Sequence, residues 1–184
     1  MVMTPARLLG VLLLCALACK SEPDDEPPEF DGTMVDLVEP MLWQPQAAAD
    51  DPFSDHRPDT VDCTFGLGWL VEPRAIEVNT GTCTYGAFTQ PTLAAIVKGA
   101  KISLSLYHFD LVAAEPATAH LAVLVGPHVL MEREIAIPGK ANVYAIELVA
   151  DFDLPEGSPV TFHLHNHGQN TWALDRLAVE VPVQ

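Results

Sequence analysis

From Phe65 to the C-terminus the chain never holds an apolar periodicity for the length of a helix. Short apolar segments are cut at close intervals by glycine, proline and acidic or amide turns, at Thr80-Gly81, Lys98-Gly99, Glu115-Pro116, Gly126-Pro127, Pro138-Gly139, Pro155-Glu156-Gly157 and His167-Gly168. Segments of about eight residues with regular turns fold as antiparallel strands, because each needs only a paired neighbour and one buried face. The pattern predicts strands over 66–72, 75–79, 93–97, 101–109, 118–125, 129–137, 142–150, 159–166 and 172–181. Within 101–109, Ile102, Leu104 and Leu106 alternate with Lys101, Ser103 and Ser105, the period of a strand with one wet face. Leu93–Val97 is the one helical competitor, and it is too short between Pro91 and Gly99 to matter. The expected class is all-β, an antiparallel sandwich of about eight strands over residues 63–184.

The chain before residue 63 has a different chemistry. Arg7, the apolar run Leu8–Leu17 and the small-residue site Ala16-Leu17-Ala18 make residues 1–18 an export signal, whose apolar run of about ten residues is too short to stay in a bilayer. Cys19 follows, and the site resembles a bacterial lipoprotein box, although alanine stands at −3 and leucine at −2. Cleavage there removes Cys15 and leaves an odd set of three cysteines. Lipidation of Cys19 leaves Cys63 and Cys83 as an even pair, which in an oxidising compartment reads as a disulfide worth about 3 kcal/mol. A multiply acylated cysteine anchors firmly, at roughly 0.8 kcal/mol per buried CH₂. Lys20 lacks the aspartate retention signal, and by the same resemblance the address is the outer membrane, facing the periplasm or the surface.

Residues 19–62 then read as a lipidated, acidic, proline-rich tether. Residues 21–62 hold 13 of the 25 acids, 7 of the 16 prolines and a single base, Arg57. Such a composition cannot bury enough apolar surface to offset ordering entropy over Ser21–Glu29. Met34–Val38 and Met41–Trp43 are apolar enough to dock back onto the sandwich. The net charge of −16 excludes nucleic acid as a partner.

Three of the seven histidines, His163, His165 and His167, are spaced two apart at the end of a predicted strand, so they share a face. Imidazoles so placed can hold a transition metal, with His120 or His108 completing the set. The competing reading is a polar network in which rings and amides satisfy each other and the turn backbone. A cupin-like centre would add a glutamate shortly afterwards, but Gln169, Asn170 and Thr171 come next. Sugar recognition needs an aromatic platform with planar hydrogen-bonding groups. The candidate ligand-binding set is His163, His165, Asn166, His167, Asn170, Trp172, Tyr107 and His108, with Gln169, Trp69 and Tyr85 supplying further groups of the same kinds.

The stretch Val160–Val179, an apolar strand, a polar Asn/Gly turn and a final strand Leu174-Asp175-Arg176-Leu177-Ala178-Val179, resembles the end of a galactose-binding-like jelly roll. That superfamily includes many carbohydrate-binding modules, and Gln90–Ile96 with Lys98–Ile102 resembles its early hairpin. The resemblance implies a jelly-roll sandwich, a glycan ligand and, through the position of Asp175, a structural calcium. No G-x-S-x-G elbow, H-E-x-x-H helix or phosphate loop is present, and the carboxylate pairs Glu132/Glu134 and Asp151/Asp153 fall on strand or turn positions. The expected function is therefore non-catalytic: an envelope lipoprotein displaying a carbohydrate-binding domain that requires no cofactor. The alternatives are a histidine-based metal protein, or a scaffold module that recognises an envelope protein.

Overall fold

The computed structural model describes residues 27–183; the expected export signal, the expected lipidation site Cys19 and the acidic run up to Glu26 lie outside them. Eleven strands form among the described residues: β1 (Phe30–Asp36), β2 (Gln44–Pro45), β3 (Trp69–Glu72), β4 (Ala75–Asn79), β5 (Tyr85–Pro91), β6 (Lys101–His108), β7 (Ala117–Val125), β8 (His128–Ile137), β9 (Asn142–Val149), β10 (Pro159–Asn166) and β11 (Thr171–Pro182). Among the described residues the only helical turns are 3-10 turns at Pro40–Leu42, Ala48–Asp50 and Ser54–His56.

One sheet runs β3-β4-β11-β6-β9, with β1 also paired to β11; the other runs β2-β5-β10-β7-β8. Every pairing between these strands is antiparallel. From β4 to β11 the chain changes sheet at every step except the β7–β8 hairpin. The resulting orders, β4-β11-β6-β9 against β5-β10-β7-β8, are those of an eight-stranded jelly roll. The fold expected from the sequence is the fold found. Its core lies between the sheets, where Ile102, Leu104 and Leu106 of β6 meet Phe88, Leu121, Val123, Phe162 and Leu164. The expected disulfide joins Cys63 to Cys83, and Cys83 is fully buried.

The two sheets differ in how their outer faces are treated. In β6 and β9 burial alternates residue by residue, the signature of a sheet with one wet side. In β7 and β10 it is almost continuous, so something covers the second face of the five-stranded sheet. That cover is residues 46–57, within the segment expected to be tether.

The expected boundary at residue 63 is thus corrected. β1 pairs with β11, β2 pairs with β5, and Leu37 and Trp43 are buried in the core. The two apolar stretches dock through Leu37 and Trp43, while Met41 and Leu42 stay exposed. Two strand expectations also change. Residues 93–97 form no strand, only a single bridge between Ile96 and Leu154. β5 went unread because Gly86 and Pro91 look like punctuation. Gly86 is in fact a packing requirement: a Cβ there would lie 2.5 Å from the Phe88 ring. Pro91 occupies the last position of its strand, where a missing N–H is tolerated.

Candidate functional site

The polar corner after β10 closes on itself. Asn166 Nδ2 donates to the Gly168 carbonyl at 2.9 Å, and Thr80 Oγ1 contacts the carbonyls of Gly168 and Asn170 at 2.9 and 3.0 Å. The Val112 N–H donates to Asn170 Oδ1 at 2.6 Å. Asn166 and Asn170 are buried, and Trp172 is 0% exposed, with the His108 ring packed against its indole at 4.5 Å and tilted by 49°. His108 Nδ1 donates to the Phe109 carbonyl at 2.7 Å, and its Nε2 is hydrogen-bonded with Tyr144 Oη at 3.2 Å. Trp172, Asn166, Asn170 and His108 therefore brace the fold and cannot meet a ligand, which corrects their expected role. Side chains of the types suited to sugar also satisfy a tight turn, and here the turn took them. His167 remains exposed beside His165, with ring centroids 4.5 Å apart.

His163 and His165 behave differently. Strand alternation points them away from the core, opposite Phe162 and Leu164, while β10 pairs His165 with His120 and His163 with Ala122. Residues 46–57 then fold over them. Gln46 N–H donates to the Ala87 carbonyl at 2.8 Å, and Thr161 Oγ1 reaches Gln46 Oε1 at 3.2 Å. Asp51 is the anchor of this cover. Its carboxylate accepts from the Tyr85 hydroxyl, from the Phe53 N–H at 2.9 Å and from Arg57 Nη1 at 2.9 Å. Burial alone would raise the Asp51 pKa, but these three donors together hold it below the ordinary carboxylate value. Burial, then the hydrogen bond and charge of Asp51, push the Tyr85 phenol upward.

With the segment in place, Phe53 stacks on His163 at 4.3 Å, and His56 approaches His120 at 4.6 Å between ring centroids. One ring nitrogen each of His56, His120 and His163 lie within 4.8 Å of one another. Neither nitrogen of His163 has a hydrogen-bond partner among the described residues. Burial, reinforced by the neighbouring imidazoles of His120, His56 and His165 and opposed by Asp51, drives its pKa down to about 3. Burial and the charges of His167, His56 and His120 lower His165 as well. Of the expected metal set, His120 and His163 meet and His165 stands beside them. The third member of the close group is His56, which the tether reading passed over. Glu132, half of an acidic pair on β8, bonds His120 Nε2 at 2.9 Å.

The other sheet offers the open surface. Along β6, Ser103, Ser105 and Tyr107 face outward, and their neighbours on β9 are Glu147, Ala145 and Val143, the last 63% exposed. These small side chains floor a shallow basin of 650 Å³ reaching to Asp175 and Arg176. A second concavity of 620 Å³, with Asp36, Trp43 and Arg74 in its lining, meets the basin at the same two residues. It exists because β4 pairs with β11 only as far as Leu174, while β1 takes up pairing at Ala178. Tyr107 lies outside the lining of both concavities, two residues beyond Ser105 on the same face of β6, edge-on to the exposed Phe109 at 5.8 Å. Partial burial and the nearby carboxylates of Glu77, Asp175 and Glu72 raise its phenol, so it stays protonated as a donor. Of the expected ligand residues, Tyr107 is the one that this open face presents. Among the described residues Asp175 belongs to no group of three closely spaced acidic or histidine ligands.

No protein family matches the chain in sequence, and no curated protein does. Solved structures of similar architecture include a CBM4 module, with 16% identity and a TM-score of 0.41, covering 77% of this chain and 96% of that one. A variant of CBM29-2 complexed with cellulohexaose has 15% identity and a TM-score of 0.40, covering 80% of this chain and 90% of the module. A Stig cyclase from Fischerella sp. has 11% identity and a TM-score of 0.39, covering 60% of this chain and 64% of the cyclase. The jelly-roll assignment rests on the strand order of the chain itself.

Proposed function

We propose that the protein is an exported lipoprotein, held at the outer membrane by acylated Cys19, that displays a non-catalytic domain for binding neutral glycans. The observation that carries this reading is the groove across the six-stranded sheet. It joins a floor of small residues and an interleaved row of hydroxyl, carboxylate and guanidinium groups in one extended concavity, and the partly exposed ring of Tyr107 follows two residues beyond Ser105 on the same face of β6. A sugar chain has apolar ring faces and a rim of hydroxyls, and a surface of this kind matches both. Tyr107 offers the stacking face, while Ser103, Ser105, Asp175, Arg176 and Glu147 exchange hydrogen bonds with hydroxyls. Asp175 acts there as an acceptor rather than a calcium ligand. The strongly negative chain disfavours acidic polysaccharides, which narrows the ligand to uncharged chains.

Affinity electrophoresis against neutral, acidic and basic soluble polysaccharides tests the proposal. Retention by a neutral polysaccharide is expected, and Tyr107→Ala should weaken it by about tenfold or more, equivalent to about 1.4 kcal/mol. Failure of every polysaccharide to retard the protein at millimolar binding sites, or undiminished retention of the Tyr107→Ala variant, would remove the glycan reading.

A further inference from the structure

The histidine cluster under residues 46–57 plays no part in glycan binding on the opposite face, and its chemistry points elsewhere. His163 is fully buried, yet neither of its nitrogens has a partner among the described residues. A packing role alone would favour a phenylalanine at this position, since an unbonded imidazole forfeits its hydration for nothing. His120 donates Nε2–H to Glu132, leaving Nδ1 buried and unbonded. A carboxylate that fixes the tautomer of an imidazole so that its other nitrogen is a bare acceptor is the usual support of a metal-binding histidine. His56 brings a third imidazole from a separate part of the chain, and one nitrogen of each ring falls within the same 4.8 Å sphere of separation. The carboxylates of Asp51 and Glu132 stand behind the rings to balance added positive charge.

We propose that His56, His120 and His163 bind a zinc-class divalent transition ion that clips the N-terminal segment onto the outer face of the five-stranded sheet. Three imidazoles suit zinc, cobalt and copper, whereas calcium and magnesium require oxygen ligands. Tetrahedral bonds of about 2.05 Å place ligand nitrogens about 3.4 Å apart, so the rings close slightly around the ion. The member that moves is His56, which is exposed on the short Ser54–His56 turn. Three protein ligands leave the fourth position to solvent. The ion adds to the contacts of Gln46, Asp51 and Phe53 that already hold the segment on the sheet.

The test uses the untagged protein stripped with a chelator, then titrated with Zn²⁺ by calorimetry and with Co²⁺ by visible absorption. One equivalent should bind, Co²⁺ should give the intense bands of a four-coordinate site, and the melting temperature should rise with Zn²⁺ but not with Ca²⁺ or Mg²⁺. His56→Ala and His120→Ala should each weaken Zn²⁺ binding by about tenfold or more, while His167→Ala leaves it unchanged. His56 is exposed, so its variant should keep the far-ultraviolet circular dichroism of the parent and report on binding alone. Absence of saturable Zn²⁺ and Co²⁺ binding overturns the proposal, and so does binding that survives both the His56→Ala and His120→Ala substitutions undiminished.

Discussion

A histidine sealed from water with no bonded nitrogen has one comfortable charge state, and His163 is neutral in the folded protein over the ordinary range of pH. The unfolded chain gives the same ring a value near 6.5, so between about 6.5 and 3 the unfolded state binds a proton that the folded state refuses. Stability is therefore fully present above 6.5 and declines as pH falls toward 3, by an amount on the order of a few kcal/mol from this group. His120, Asp51, His56 and His165 face the ring and shape the same window. Urea unfolding of chelated protein across that range should show the decline. His163→Phe should flatten it, because phenylalanine keeps the stack on Phe53 and removes the proton; an unchanged slope would mean that His163 titrates freely. At this scale the sequence was half legible. The two-residue spacing of His163 and His165 announces a shared face, and the structure places both there. His56 carries no such signal, because its partners lie far along the chain and only the fold brings them near. The amides around the final turn misled for a related reason: hydrogen-bonding capacity shows in a sequence, but whether water or the backbone uses it does not.

The cover formed by residues 46–57 hangs on Asp51, and its loss should act on that element before it touches the sandwich. Asp51→Ala strips acceptors from Tyr85, Phe53 and Arg57, and should destabilise by about 2–3 kcal/mol. Hydrogen exchange should then quicken over residues 46–57 while β6 and β11 keep their protection; uniform loss of protection would show that the cover does not open as a unit. The Cys63–Cys83 bridge closes a separation of twenty residues near β3 and β4. Its reduction should lower stability by about 3 kcal/mol and leave glycan retention intact, as read by melting and electrophoresis. A loss of retention at temperatures where the protein remains folded would place the bridge in the binding surface. Elements with clean alternation, such as β6, were read almost to the residue. β7 ends in the apolar run Leu121–Val125, buried throughout because both faces of its sheet are covered. The covering layer was missed because averaging residues 21–62 mixes the strongly acidic start with the anchors Leu37, Trp43 and Asp51.

On the scale of the whole molecule, one jelly roll presents two unlike faces. The five-stranded sheet spends its outer side on the N-terminal segment, and the six-stranded sheet leaves its own side open around a groove. This asymmetry makes the segment from Phe30 to Arg57 part of the domain, so fewer residues are left to serve as a spacer toward the proposed anchor at Cys19 than composition alone suggests. It also divides the chemistry: imidazoles gather under the cover, while hydroxyl, aromatic and charged groups face solvent on the far side. The antiparallel sandwich was legible in strand lengths and turns, because hydrophobic alternation is a local property, whereas its jelly-roll form was expected only from the resemblance of Val160–Val179. The division of faces was not legible, since it depends on where a distant piece of chain comes to rest. The most direct measurement is an NMR titration with the neutral polysaccharide that retards the protein best, supplied as soluble oligosaccharides. Shifts confined to Ser103, Ser105, Tyr107, Ala145 and Arg176, with the amides around Phe53 and His163 silent, are the predicted result. Shifts centred on the histidine face, with the groove silent, would contradict the account.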